Sequence, residues 1–209
     1  MHSIQTPTTV QSILARSKEI GFEMMSDPLV GALLKTLVAS KTAGQMLELG
    51  TGTGLATAWL LDGMDGDSTL VTVENEAQYA TVARFHLAYD SRVTFKREDA
   101  GQFLEHLDES DHFDLIFADT WAGKYTHCDR ALNALNLGGL YVIDDMLPQS
   151  NWPEGHETQV ARLIAQLHNR ADLSLVQLDW ASGVIIATQG KRILTRRGWL
   201  KGNRYPIQP

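Results

Sequence analysis

Short apolar runs alternate with helical patterns through most of this 209-residue chain. The apolar runs are MLELG, TLVTVE, RVTFK, FDLIFAD and GLYVIDD, and apolar residues recur at helical spacing in the segments that follow them, namely 54–63, 76–89, 100–107, 124–136 and 154–169. Strands that alternate with helices predict a parallel sheet covered by helices on both faces.

The two ends of the chain depart from this alternation. LSLVQLDW and GVIIATQG are separated by only a few residues around Ala181 and Ser182, too few for a helical crossover, so they should form an antiparallel hairpin. Residues 1–44 show two helical patterns, the second with Asp27 as N-cap and Pro28 at its first position. We therefore predict one α/β domain with a doubly wound, mostly parallel seven-stranded sheet, comprising a helical cap (1–44), a core (45–190) and a tail (191–209).

Composition adds limits on location. A hydrophobic content of 44% is sufficient for one domain with a large core. No run of eighteen apolar residues occurs, and the first residues lack the basic start and apolar centre of an export signal, so no membrane partner is expected. The lone cysteine, Cys128, leaves no internal disulfide and indicates a cytoplasmic protein.

The charge is unevenly distributed. The formal net charge is −7, but residues 191–209 hold six basic residues and no acid, which leaves 12 basic against 25 acidic residues, or −13, for 1–190. Such a body should repel nucleic acid, so no nucleic-acid partner is expected. The tail could contact RNA or anionic lipid, or lie as a strap on its own acidic body or on a second subunit.

A glycine-rich loop, ELGTGTG at 48–54, follows the first predicted strand and precedes a helix. Its glycines allow a sharp turn and a close approach to a ligand near free helix N–H groups, which predicts a nucleotide-type site. A dinucleotide fingerprint beginning at Gly50 would need glycine where Leu55 stands. Glu74 ends the next strand, where its carboxylate could accept both ribose hydroxyls.

Three aspartates follow the fourth and fifth predicted strands: Asp119, Asp144 and Asp145. In a doubly wound sheet these strand ends line the same crevice as the glycine loop. Carboxylates that converge there would repel one another unless a cation lay between them, and oxygen ligands select Mg²⁺, Ca²⁺ or Mn²⁺.

Over about residues 45–190 these motifs resemble the class I methyltransferases that use S-adenosylmethionine, and the aspartates resemble those of the catechol and caffeoyl-CoA type O-methyltransferases. The resemblance implies that the glycine loop holds the methionine part of the cofactor, with Glu48 near its amino group or sulfonium, and that Asp99 lies beside the adenine. Asp99 could instead be a helix N-cap. The residues implied for the cofactor are Glu48, Gly50, Thr51, Gly52, Gly54, Glu74, Asp99, Ala100, Asp119 and Trp121, and those for the metal are Asp119, Asp144 and Asp145.

The chain departs from that pattern at two positions. Asp145 replaces the family's asparagine, which keeps an oxygen ligand, and Ala122 stands where the catechol enzymes place a lysine base. The base is therefore open among Lys124, His127 and His156. Lys124 could reach back to the site or project elsewhere from a helix. His156 ends the segment MLPQSNWPEGH, in which Trp152 could stack on a planar acceptor or merely pack the loop.

The resemblance implies a methyltransferase that uses S-adenosylmethionine and a divalent ion to methylate a hydroxyl of a small-molecule acceptor. Met24 and Met25 lie where relatives cover the cofactor, although core packing is the simpler account. Two other functions stay open: aminopropyl transfer from the decarboxylated cofactor, and cofactor binding without turnover in a regulatory or scaffold protein. A homodimer through the N-terminal helices or the basic tail is consistent with the family.

Overall fold

One seven-stranded sheet organises the computed structural model, which describes residues 4–149 and 152–190. The basic tail, 191–209, and its expected role as a strap lie outside the described residues. The strands are β1 (Gln45–Leu49), β2 (Thr69–Val73), β3 (Val93–Lys96), β4 (Phe113–Ala118), β5 (Leu135–Ile143), β6 (Leu173–Leu178) and β7 (Val184–Gln189).

The strand order is β3-β2-β1-β4-β5-β7-β6. The first five strands pair in parallel, and β7 pairs antiparallel with both β5 and β6. The predicted doubly wound sheet and its terminal antiparallel hairpin are therefore confirmed. Because β1 pairs with both β2 and β4, the chain changes direction across the sheet beside β1, and a crevice opens at the carboxyl ends of the strands.

In residues 4–149 and 152–190, eight helical segments cover the sheet: α1 (Thr8–Glu19), α2 (Pro28–Ala39), α3 (Leu55–Gly63), α4 (Ala77–Leu87), α5 (Ala100–His106), α6 (Trp121–Lys124), α7 (Cys128–Asn133) and α8 (His156–His168). Within the described residues, no helix is both long and apolar enough to cross a membrane. The predicted start of α2 is confirmed, since the Asp27 carboxylate accepts the Leu29 N–H at 2.7 Å and Pro28 follows it.

The core lies in two layers because successive strand residues point to opposite faces. In β4, Ile116 packs in the cluster that includes residues of α5, α7 and α8, whereas Leu115 and Phe117 pack in the cluster with α2, α3 and α4. All three side chains are fully buried. Both faces of the central strands are thus covered, as a parallel sheet requires.

The single helix predicted over 124–136 is wrong. The chain instead forms the short, distorted α6 and then α7, and β5 begins at Leu135. Within α6, Ala122 and Gly123 have non-helical backbone angles, and Gly123 has φ +88°. This break matters for the site, because it sets the direction of the next side chain, Lys124.

The contact between α2 and α3 yields a stability prediction. A Cβ on Gly63, at the end of α3, would lie 2.2 Å from the Lys35 carbonyl oxygen and 2.7 Å from Val38 Cγ2. Gly63→Ala should therefore lower the free energy of unfolding by about 1–3 kcal/mol, despite the better helix propensity of alanine. Urea unfolding measures the change. Gly66→Ala is the matched control, since nothing lies within 4 Å of its added Cβ; equal effects at both positions would contradict the packing account.

Candidate active site

A cavity of about 480 Å³ lies at the carboxyl edge of the sheet. Most of the predicted site residues line it, together with part of the segment between α1 and α2: Gly50, Thr51, Gly52, Glu74, Asp119, Trp121, Lys124, Asp144, Asp145 and His156. A larger cavity of about 870 Å³, between α5, α7 and the start of β5, contains none of them. The chemistry of the lining, and not the volume, therefore identifies the candidate site.

The glycine loop crosses the floor of this cavity. Gly50, Gly52 and Gly54 have φ of +98°, +52° and +94°, values that glycine adopts without strain. A Cβ on Gly50 would lie 2.7 Å from the Asp119 carbonyl oxygen, and the N–H groups of Gly50 and Thr51 both donate to the Val73 carbonyl, at 3.0 and 3.1 Å. The loop is thus fixed against the ends of β2 and β4.

Glu74 joins the second strand to this loop. One carboxylate oxygen accepts the Gly52 N–H at 2.8 Å, and the other accepts the Glu76 N–H at 2.9 Å. Each oxygen of an ionised carboxylate has a second lone pair, so Glu74 can accept further hydrogen bonds from a ligand in the cavity. Its expected role toward the ribose stays a prediction.

The structure places Glu48 beneath the loop and not in the cavity. Its side chain is fully buried, and Oε2 accepts the hydroxyls of Thr57 at 2.6 Å and Thr72 at 2.5 Å, while Oε1 has no partner among the described residues. Burial raises the pKa of Glu48 to about 7, although the two hydroxyls oppose that rise. Glu48 thus has a supporting position under the loop, and its expected place near the cofactor amino group or sulfonium stays a prediction. Gly54 does not line the cavity either; it precedes α3 as its left-handed N-cap.

Asp99 and Ala100 lie at the start of α5. The Asp99 carboxylate accepts the Gln102 N–H at 2.9 Å, the N-cap arrangement that the sequence left open, and Ala100 is buried in the core. Neither residue is among those that line the 480 Å³ cavity. The place of Asp99 beside the adenine, and the assignment of Ala100 to the cofactor site, stay predictions.

The three predicted aspartates do line one cavity. Burial raises the pKa of Asp119 well above its usual value, and burial with the neighbouring Asp145 charge raises that of Asp144 to about 6. Asp144 Oδ1 already accepts the Ser182 hydroxyl and the Asp145 N–H. Across the described residues, no group of three or more acidic, histidine or cysteine side chains is arranged to hold a metal ion.

Lys124 reaches back into this acidic cluster. Its side chain is 5% exposed, and its ammonium Nζ donates to Asp119 Oδ1 at 3.2 Å. Burial alone would lower the pKa of Lys124, but the carboxylates of Asp119, Asp145 and Asp144 outweigh it, so the pKa is raised and the amine stays protonated. The site therefore contains a built-in cation.

The distorted turn α6 explains this direction. Gly123 adopts φ +88°, its N–H donates to the Thr126 carbonyl at 2.7 Å, and its own carbonyl accepts the buried Tyr141 hydroxyl. A Cβ at Gly123 would lie 2.6 Å from Leu49 Cδ1. Glycine and Tyr141 together hold the turn that presents Lys124 to the cavity.

Aromatic side chains form the mouth of the cavity. The His156 ring lies 4.4 Å from the Trp152 ring and 5.6 Å, edge on, from the half-exposed Trp121 ring. His156 Nε2 is 2.9 Å from the Tyr125 hydroxyl. Burial, reinforced by the Lys124 charge, lowers the pKa of His156, so its imidazole is neutral at pH 7.

His127, the remaining candidate base, lies away from the cavity. It precedes α7 with φ +55°, and its Nε2 is 3.1 Å from Glu105 Oε1. Sequence reasoning missed three aromatic lining residues, Phe22, Tyr79 and Tyr125. Phe22 and Tyr79 form an edge contact with centroids 4.7 Å apart. No local motif marks these two, because segments distant in sequence bring them together.

Comparison with known proteins identifies similar sequences and similar folds. A family model described as O-methyltransferase matches residues 3–186. A relative from Mycolicibacterium vanbaalenii, provisionally assigned as an O-methyltransferase, is 32% identical over 148 residues, which cover 68% of this chain and 64% of the relative. The chain thus aligns with less than two thirds of that relative's length.

Solved structures give the same picture of the fold. A provisionally assigned O-methyltransferase from Klebsiella pneumoniae superposes with a TM-score of 0.77 at 27% identity, covering 90% of this chain and 92% of that one. The O-methyltransferase from Bacillus cereus, solved in complex with SAH, gives a TM-score of 0.78 at 22% identity, covering 89% and 92%. At that lower identity the likeness concerns the fold alone.

The buried carboxyl of Glu48 predicts a pH-dependent stability. Because its folded pKa, about 7, exceeds the ordinary 4.5, the folded protein holds this proton more tightly than the unfolded chain does. Its contribution is complete below about pH 4.5 and is lost as the pH rises through about 7, a change of about 3 kcal/mol.

Glu48→Gln has no charge to titrate and should flatten this part of the slope. Urea unfolding of the ligand-free protein at several pH values measures it. The exposed Glu109→Gln is the control and should retain the wild-type slope. A slope in Glu48→Gln equal to that of the wild type would refute the assignment.

Proposed function

This chain belongs to the O-methyltransferase family, and from that membership we propose that it transfers the methyl group of S-adenosylmethionine to a hydroxyl oxygen of a small-molecule acceptor. The observation that carries the proposal is the single cavity at the sheet edge, which brings the glycine loop, Glu74, a charged cluster and an aromatic mouth together. A volume of about 480 Å³ falls in the usual range for small-molecule sites.

The cofactor end of the cavity is the glycine loop with Glu74. The backbone of Gly50, Thr51 and Gly52 would hold the methionine part, since no side chain at the two glycines obstructs a close approach. The Glu74 carboxylate, fixed by two backbone N–H groups, would accept the ribose hydroxyls. The O-methyltransferase from Bacillus cereus, which has the same fold, was solved in complex with SAH, which supports the choice of cofactor.

The acceptor end is the aromatic mouth. The rings of Trp121, Tyr125, Trp152 and His156 line this end of the cavity, and Met24 and Met25 also line the cavity. Aromatic rings of this kind can stack on a planar acceptor and exclude water from it. We therefore propose a planar hydroxylated acceptor, such as a phenol.

The reaction needs a proton acceptor, and His156 is the proposed base. As the acceptor oxygen attacks the sulfonium methyl group, the new C–O bond forms, the S–CH₃ bond breaks, and the hydroxyl proton must leave. The neutral imidazole of His156 can take that proton through the Tyr125 hydroxyl, which lies 2.9 Å from Nε2: the acceptor gives its proton to the Tyr125 oxygen as the Tyr125 hydroxyl proton passes to Nε2. Lys124 cannot, because its amine is already protonated in the acidic cluster.

A divalent ion does not fit the proposed site, although the family resemblance implied one. The Lys124 ammonium already contacts Asp119, and Asp144 Oδ1 is already occupied by two donors. At an effective dielectric constant of about 20, a doubly charged ion ~4 Å from that ammonium would be repelled by about 8 kcal/mol, which cancels its attraction to one ionised carboxylate at the same distance. The proposed reaction therefore includes no metal step.

A cytoplasmic location and a homodimer stay predictions.

Binding of S-adenosylhomocysteine tests the cofactor half. Calorimetry should detect saturable binding by the wild type, and Glu74→Gln should weaken it about 10- to 100-fold because a charged hydrogen-bond acceptor is lost. Glu109→Gln, remote from the cavity, should bind like the wild type. A folded wild-type protein that binds none of the ligand at high micromolar concentration would disprove the cofactor assignment.

Turnover tests the assignment of His156. With an acceptor found among phenols and catechols, His156→Gln should lower kcat about 10²- to 10⁴-fold while the S-adenosylhomocysteine affinity is retained. Since the His156 pKa lies below its usual 6.5, wild-type kcat should fall only under mildly acidic conditions. His168→Gln, exposed at the end of α8, is the control. A kcat unchanged in His156→Gln would remove it as base.

A further inference from the structure

Lys124 occupies an unusual position for a lysine. Only 5% of its side chain is exposed, yet it lines the cavity, and its ammonium is 3.2 Å from Asp119 Oδ1. Lysine is almost never fully buried unless it is paired. The carboxylates that act on its charge are those of three strand-end residues, Asp119, Asp145 and Asp144. The cation thus belongs to the whole cluster and not to one surface pair.

The backbone turn before Lys124 directs its ammonium into the cavity. Ala122 and Gly123 break the helix, and Gly123 takes a positive φ that other residues rarely adopt. The fully buried Tyr141 hydroxyl donates to the Gly123 carbonyl from β5, which closes the turn over the strand end. Contacts from two neighbouring strands therefore fix Lys124: Asp119 after β4 accepts from its ammonium, and Tyr141 on β5 holds the preceding turn.

The aspartates of the cluster differ in their hydrogen-bond partners. Asp119 and Asp144 follow adjacent parallel strands, and their charges act on each other. Asp144 Oδ1 receives the Ser182 hydroxyl and the Asp145 N–H, whereas the Lys124 ammonium lies against Asp119. An ammonium presents three N–H donors, so after the bond to Asp119 two donors remain for other oxygens.

We propose that the Lys124 ammonium is the resident cation of the Asp119, Asp144 and Asp145 cluster, in place of a divalent ion, and that it donates a hydrogen bond to the acceptor oxygen during methyl transfer. The second part rests on the proposed function. As the acceptor loses its proton, negative charge develops on its oxygen, and an ammonium fixed beside it stabilises that charge. The first part concerns ion binding alone and is tested without turnover.

Mn²⁺ binding to the ligand-free 209-residue protein is the test, read by electron paramagnetic resonance and calorimetry. The wild type should show no site with a Kd below ~1 mM, at the weak end for protein calcium-type sites. Lys124→Gln removes the charge but keeps a hydrogen-bonding side chain of similar length. This variant should gain a Mn²⁺ site with a Kd at least tenfold below that ~1 mM limit. Adding Asp144→Asn to Lys124→Gln should abolish the new site.

The control is Lys96→Gln, an exposed lysine at the end of β3, which should bind no more Mn²⁺ than the wild type. Wild-type protein that binds Mn²⁺ tightly, with loss of the ion in Asp144→Asn, would overturn the proposal even if Lys124→Gln fails to fold. A folded Lys124→Gln protein that gains no Mn²⁺ site would also overturn it.

S-adenosylhomocysteine binding, measured on the same samples, separates the two proposals. The wild-type affinity for this ligand should be the same with Mg²⁺ and with EDTA. A wild type that binds neither S-adenosylhomocysteine nor Mn²⁺ would contradict the proposed methyl transfer. It would still agree with the Lys124 ammonium as the cation of the aspartate cluster. A wild type that binds S-adenosylhomocysteine only when Mg²⁺ is present would defeat the lysine proposal and leave the cofactor assignment standing.

Discussion

The structure depends on keeping several carboxyl groups out of bulk water at one edge of a parallel sheet. A buried carboxylate is costly unless its charge is neutralised or well hydrogen-bonded. The chain meets this constraint in three ways. Glu48 has a pKa raised to about 7, Asp144 accepts a hydroxyl and a backbone N–H, and Asp119 receives an ammonium. Each solution fixes part of the cavity.

Topology explains why these groups meet. The sheet places β1 between β2 and β4, so the segments that leave these strands diverge and open the crevice. Only glycine satisfies the resulting approach of the first loop to the fourth strand, because a Cβ at Gly50 would lie 2.7 Å from the Asp119 carbonyl oxygen. The same backbone that permits ligand approach therefore also positions the acidic cluster.

Much of this arrangement could be predicted from sequence, because it depends on short-range patterns. Strand-helix alternation predicts the sheet, and with it the meeting of the loop, Glu74 and the aspartates at one edge. Features that depend on distant contacts could not be predicted. The Thr72 hydroxyl, on β2, donates a hydrogen bond to the Glu48 carboxylate. The Tyr141 hydroxyl, eighteen residues after Gly123, donates to the Gly123 carbonyl and so holds the turn that directs Lys124 into the cavity. Asp99 illustrates a further limit, because an aspartate that caps a helix and an aspartate that contacts a cofactor have the same sequence signature.

The proposed choice of cation would have a consequence for the proposed cofactor. One ammonium carries less charge than a divalent ion, so it leaves the cluster of Asp119, Asp144 and Asp145 with residual negative charge whenever two of the three are ionised. A sulfonium is positive, whereas the thioether left after methyl transfer is not. In a cavity where charges are weakly screened, residual negative charge favours the cofactor before transfer over the product after it. A lysine in the cluster therefore suits an enzyme that must bind a cation and then release a neutral thioether.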